Sequence, residues 1–249
     1  MMYPTSVFRI VIGVLVAVLA AQTAYSQSFF DDFEDNNLFD GSPVTWQSHR
    51  NMGTITAENG DMILTPVSTA CCVSAIQSAS NLFPHTDVAI DATFQFPTST
   101  APFVAVGFRD LLDGGTGALY WAGGFATGEL AVGYSIGGSI NTMKRGVYLP
   151  TGAVRDNADV SYHVEVIGNE ITFSAWETLA GPEQAATIQW TDPSNRAPSG
   201  DLVYPFINPN GSREPVHVRS FGVSAVPEPS GTVLASLAIL CFAAARRRI

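Results

Sequence analysis

Val160-Ser161-Tyr162-His163-Val164-Glu165-Val166-Ile167-Gly168-Asn169-Glu170-Ile171-Thr172-Phe173-Ser174-Ala175-Trp176 is the stretch on which the fold turns. Val160, Tyr162, Val164 and Val166 alternate with Ser161, His163 and Glu165, the period of two that a strand with one buried face requires. Gly168-Asn169 then supplies a two-residue turn, and Ile171, Phe173 and Ala175 carry an apolar face back. The segment reads as a β-hairpin with Thr172, Ser174 and Trp176 on the side opposite its apolar face.

Outward from the hairpin the same period recurs. Val88, Ile90, Ala92, Phe94 and Phe96 alternate with Asp87, Ala89, Asp91, Thr93 and Gln95, and Leu130, Val132, Tyr134 and Ile136 with Ala131, Gly133 and Ser135. Further strands are expected at 61–67, 103–108, 119–123, 186–190, 203–207 and 216–226. Turn-rich pieces such as Asp113-Gly114-Gly115, Gly137-Gly138, Asp192-Pro193-Ser194-Asn195 and Asn208-Pro209-Asn210-Gly211 punctuate them. Helical periodicity is almost absent and no internal repeat is present, which disfavours solenoids and propellers. About ten short strands joined by Gly, Pro and Asn turns predict an all-β fold, a two-sheet antiparallel sandwich of jelly-roll kind.

The two ends read differently. Arg9 precedes an apolar run over 10–21, and Ala24-Tyr25-Ser26 places small residues before a signal-peptidase cut at Gln27. Residues 1–26 are expected to be a secretory signal peptide, with no Cys near the cut to carry a lipid. At the other end, Val226-Pro227-Glu228-Pro229-Ser230 leads into fifteen mostly apolar residues, 231–245, and then Arg246-Arg247-Arg248. Fifteen helical residues reach about 22 Å, short of the ~30 Å hydrocarbon core of a bilayer. Snorkelling arginines absorb some of the mismatch and belong on the cytoplasmic side. Pro227 and Pro229 hold the junction extended, as suits a segment offered to a protease.

The order of Pro-Glu-Pro motif, weak hydrophobic helix and basic cluster over 226–249 resembles the PEP-CTERM sorting signal of Gram-negative bacteria that make extracellular polysaccharide. That resemblance implies recognition of Val226 to Ser230 by an exosortase, removal of the tail, and delivery to the cell surface or extracellular matrix. The protein would touch the membrane only through this helix, before processing. A plain tail anchor is the alternative, although such an anchor is usually longer and needs no Pro-Glu-Pro.

One domain is expected between the signals, over 27–225. From Gln27 to Val226 the eight basic residues, Arg50, Arg109, Lys144, Arg145, Arg155, Arg196, Arg213 and Arg219, stand against twenty-one acidic ones. Such a field repels nucleic acid and anionic membrane and suits neutral partners or divalent cations. Cys71 and Cys72 are adjacent and make no disulfide framework; a strained vicinal bridge, an intermolecular link and two free thiols all stay open. His49, His85, His163 and His217 show no metal-ligand spacing.

The order of segments also resembles the concanavalin A-like lectin/glucanase superfamily, including laminin-G-like domains. The resemblance rests on Phe30-Asp31-Asp32-Phe33-Glu34 followed by Trp46, on the strand 87–96, on the hairpin 162–176, and on a closing strand 216–226 returning beside the first. It implies a concanavalin A-like sandwich, and a function that is left open, because the superfamily holds lectins, glycoside hydrolases, lyases and structural modules.

Residue chemistry narrows that choice. The paired-carboxylate strand of the glucanase branch is missing. Asp87 and Asp91, the nearest approach, would sit about 13 Å apart, too far for retaining chemistry, so they read as a solvated strand face. Gly133-Tyr134-Ser135-Ile136-Gly137 matches the Gly-x-Ser-x-Gly nucleophile elbow in letters, but a strand followed by Gly137-Gly138-Ser139 is not the strand-to-helix context an elbow needs. The acidic opening Asp31 to Asn37, with Asp40, could supply oxygen ligands to a structural calcium but lacks loop spacing; no other cofactor is expected.

Sugars stack their C–H faces on exposed aromatic rings. Trp176 is the best candidate, Tyr120 and Trp121 are weaker ones beside the Gly-rich 113–117 stretch, and Trp46 and Trp190 look like packing. The chain therefore reads as an exported, non-catalytic glycan-binding or adhesive module with extracellular polysaccharide as partner. The alternatives are a polysaccharide-active hydrolase or lyase of the same fold and a purely structural matrix protein.

Overall fold

The computed structural model describes residues 28–41, 44–49, 53–67, 73–77, 87–97, 103–110, 118–136, 139–197, 200, 202–209 and 213–226, all inside one compact unit, Ser28–Val226. Ala24, Ser26 and Gln27 of the expected cleavage site lie outside the described residues. So do Cys71, Cys72, the motif residues Pro227 to Ser230, the 231–245 helix and Arg246 to Arg248. Among the described residues no helix is long and apolar enough to cross a membrane.

Among the described residues fifteen strands run in chain order: β1 (Ser28–Asp31), β2 (Trp46–His49), β3 (Gly53–Glu58), β4 (Asp61–Pro66), β5 (Val73–Gln77), β6 (Val88–Phe96), β7 (Phe103–Asp110), β8 (Ala118–Gly124), β9 (Glu129–Ile136), β10 (Ser139–Tyr148), β11 (Ala158–Ile167), β12 (Glu170–Glu177), β13 (Ala186–Thr191), β14 (Leu202–Asn208) and β15 (Val216–Ala225). They form two antiparallel sheets. The first is ordered β13-β12-β11-β6-β15-β4-β3, with β1 also paired to β15, and the second β10-β9-β8-β7-β14-β5-β2. The closing strand does return beside the first, Ser28 facing Ser224 and Asp31 facing Phe221.

The hairpin expected at 160–176 is β11–β12, with Ile167 facing Glu170 across the Gly168-Asn169 turn and Gly168 at φ 58°. Its apolar set, Val160, Tyr162, Val164, Val166, Ile171, Phe173 and Ala175, is buried between the sheets with Ile90, Phe94, Val104, Val106, Phe108 and Val132. Tyr162 spans the gap: its hydroxyl donates to the Val104 carbonyl of the second sheet at 3.2 Å, and burial pushes its phenol well above the usual range. Trp46, fully buried in β2, meets Phe33 and Phe221 and donates its Nε1 proton to Asp31 at 2.8 Å. The first and last strands are thus stapled to the opposite sheet.

The two sheets differ in their outward faces. Along β6, β11 and β12 buried positions alternate with open ones, whereas β7, β8 and β14 are buried on almost every residue. The outward side of the second sheet carries its own buried cluster of Phe103, Leu119, Trp121, Leu202, Tyr204 and Phe206. Two-sided burial is why these strands read in sequence as apolar runs.

Candidate functional site

The register of the first sheet fixes one continuous row on its outward face. Phe30 of β1 stands beside Gly222 of β15, Gly222 beside Asp91 of β6, Asp91 beside His163 of β11, His163 beside Ser174 of β12, and Ser174 beside Thr187 of β13. The adjoining row runs Ser220, Thr93, Ser161, Trp176. Each residue faces outward because its strand neighbours, such as Ile90, Ala92, Val164 and Phe173, take the inward positions.

Phe30 is 59% exposed, which is uncommon for a phenylalanine. Its ring lies over Gly222: a Cβ there would meet Phe30 Cδ2 at 3.0 Å. Beside it opens a shallow cleft of about 290 Å³ lined by Ser28, Phe30, Asp91, Gly222 and Ser224. Trp176 is half-buried, on the same outward face as Thr172 and Ser174.

Between the two rings lie polar side chains held by one another. His163 Nδ1 is 2.7 Å from Asp91 Oδ1, and both side chains reach solvent. The hydrogen bond to Asp91 raises the His163 pKa, against a smaller opposing effect of burial. Ser174 Oγ is 2.8 Å from Thr187 Oγ1, Ser161 Oγ 2.8 Å from Thr178 Oγ1 and 3.4 Å from Thr93 Oγ1. At the adjoining corner Asp61 binds His217 at 2.8 Å and Arg219 at 2.5 Å, and Arg219 also reaches Asp159.

Asp91, His163 and Ser174 are the residue types of a nucleophilic triad, side by side. The geometry does not make one. The Ser174 hydroxyl is engaged with Thr187, and the surrounding backbone N–H groups belong to sheet ladders, so no pair of them is aimed at a developing oxyanion. Ser135 is no better placed. It is buried in β9, which pairs antiparallel with the following strand β10 rather than leading into a helix. Gly133, which completes its elbow-like motif, is needed for packing, since a Cβ there would lie 2.1 Å from the Asn141 carbonyl oxygen and 2.5 Å from the Trp121 ring.

Three sequence expectations need correction. Tyr120 and Trp121 present no accessible ring for a ligand in this structure, because both are buried on β8, in the middle of the second sheet. Tyr120 points into the core, fully buried, donating to Asp192 at 2.8 Å and accepting from the Ala197 amide at 3.2 Å. Trp121 points the other way into the second cluster, 2% exposed, with an indole N–H that has no partner among the described residues. Asp87 is not part of a solvated strand face with Asp91: it accepts the Gly168 amide at 2.8 Å and pairs with buried Arg109 at 3.4 Å.

The acidic opening is turn structure. Asp31, Asp32, Asp35 and Asn37 each accept the backbone N–H two residues on, and Asn36 accepts from Gly60. Burial raises the Asp31 pKa despite the Trp46 and Phe33 donors. Among the described residues no three His, Cys, Asp or Glu side chains group as metal ligands.

Sequence reasoning missed Phe30, Asp91 and His163 as one site. Phe30 signalled itself only as part of an acidic-aromatic opening. The Asp91–His163 pairing joins positions 72 residues apart, which only the strand order reveals.

In sequence, no family profile and no curated protein matches the chain. In fold it is similar to solved lectin-type sandwiches. The Ca2+-bound exoplasmic/lumenal domain of VIP36 superposes with a TM-score of 0.55 at 13% identity, covering 82% of this chain and 91% of that one. The CBM2 module of the evolved Dit protein of Lactobacillus casei BL23 phage J-1 gives 0.55 at 13%, covering 83% and 100%. Peanut lectin gives 0.51 at 13%, covering 82% and 98%. The fold is the concanavalin A-like β-sandwich.

Proposed function

We propose that this protein is an exported, non-catalytic glycan-binding module whose binding surface is the outward face of the first sheet. The observation that carries the reading is the row Phe30, Gly222, Asp91, His163, Ser174 with Trp176 beside it. Two accessible rings flank hydroxyl, carboxylate and imidazole groups on an open face, the combination that sugar recognition uses. Peanut lectin and the VIP36 domain, the latter solved with Man2 and with Man3GlcNAc bound, share the fold and support this reading. The signals at 1–26 and 226–249 support export across the inner membrane of a Gram-negative bacterium, cutting by signal peptidase and exosortase, and residence at the cell surface or in extracellular matrix.

The test is a polysaccharide pull-down beside a hydrolysis assay on the same glycans. Binding without product, reduced in the Trp176→Ala variant, is the expected result. Released product would make the protein an enzyme, and no binding by wild type would leave a structural matrix role. Mass spectrometry of native material should show Gln27 as the first residue and no terminal arginine cluster.

A further inference from the structure

Resting on that reading, we infer that the face takes an extended, uncharged polysaccharide along its interior, rather than a chain end or an anionic polymer. Phe30 and Trp176 stand on β1 and β12, four strand spacings apart along the order β1-β15-β6-β11-β12. They lie one side-chain step apart along the strands. At about 4.8 Å per strand and about 7 Å per step, the rings are separated by about 20 Å. One or two sugars cannot touch both. The row begins on β1 and ends on β13, the last strand of the sheet path, so a chain laid across it can run off either side. Recognition of a chain end needs a closed pocket, and the cleft on this row, beside Phe30, is shallow.

Charge selects the polymer. The face carries Asp91, Asp159 and Glu165, and the cations beside them are already held, His163 by Asp91 and Arg219 by Asp61 and Asp159. Among the described residues an anionic chain would meet carboxylates whose neighbouring cations are already paired, whereas sugar hydroxyls can donate to the exposed Asp91 carboxylate.

Calorimetric titration of the mature domain with neutral gluco-, xylo- and manno-oligosaccharides, from disaccharide to octasaccharide, and with oligogalacturonates tests this. At least one neutral series should gain roughly tenfold or more in affinity as the chain becomes long enough to bridge both rings, and the anionic series should bind more weakly. For the long ligand, Phe30→Ala and Trp176→Ala should each lose roughly three- to tenfold, with Phe30→Tyr and Trp176→Phe largely restoring it. Unchanged thermal unfolding of the four variants keeps the comparison one of binding. A flat length dependence, or preference for the anionic series, overturns the inference and leaves glycan binding standing. Absence of binding to every glycan overturns the underlying reading.

Discussion

Single side chains in this protein divide into those that hold the sandwich together and those that face outward with hydrogen-bonding capacity to spare. Tyr120 belongs to the first kind. Its hydroxyl is the partner of both Asp192 and the Ala197 amide, so Tyr120→Phe should cost about 1–3 kcal/mol in urea unfolding and leave glycan affinity unchanged. His163 belongs to the second kind. Asp91 stabilises its protonated form in the fold. The pair's contribution is therefore fully present below the ordinary histidine pKa of about 6.5 and is lost as pH rises through the elevated folded value. Wild type should exceed Asp91→Asn in stability by more at about pH 5.5 than at about pH 8. An equal margin at both values, measured by denaturant titration, would show that the ion pair contributes nothing.

Elements were legible where one face of a strand is wet. The alternation in β6, β11 and β12 reports a sheet with one open side, and the same alternation placed Trp176 on the outward face. The central strands β7, β8 and β14 of the second sheet hide that signal by burying both faces, and β10 breaks its period with register shifts at Thr142/Lys144 and Arg145/Val147. Arg109 marks a further limit. Its φ of 55° falls beside a register shift opposite Leu202/Val203, and its buried guanidinium reaches Asp87 and the Ala197 carbonyl, a direction that no period predicts. The glycines separate two kinds of constraint. Gly168→Ala adds a Cβ that meets nothing within 4 Å and pays only for its left-handed backbone, about 1 kcal/mol. Gly133→Ala drives a Cβ into the Asn141 carbonyl and the Trp121 ring, and should cost about 3 kcal/mol. Thermal unfolding of the two variants should rank them in that order; the reverse order would mean that β9 and β10 separate without penalty.

At the scale of the whole domain, the sandwich is asymmetric: the central strands β7, β8 and β14 of one sheet are buried on both faces, and the other sheet leaves a polar face open. The fold itself was legible from turn composition and from hydrophobic period, because burial of one face and wetting of the other impose a period of two on β6, β11 and β12. The site was legible only in part, since Phe30, Gly222, Asp91 and His163 become neighbours through a strand order that local pattern does not encode. The acidic balance of the domain and the absence of charge on the ligand inferred above lead to one further expectation. Affinity for the preferred glycan should change less than about twofold between low and high salt, because screening acts on charge pairs that this complex does not use. The most direct measurement of the central claim is a glycan microarray probed in parallel with wild-type protein and the Phe30→Ala/Trp176→Ala double variant, both verified as folded. Binding by wild type that disappears in the double variant is the predicted result; equal binding by the two proteins would contradict the assignment of this face.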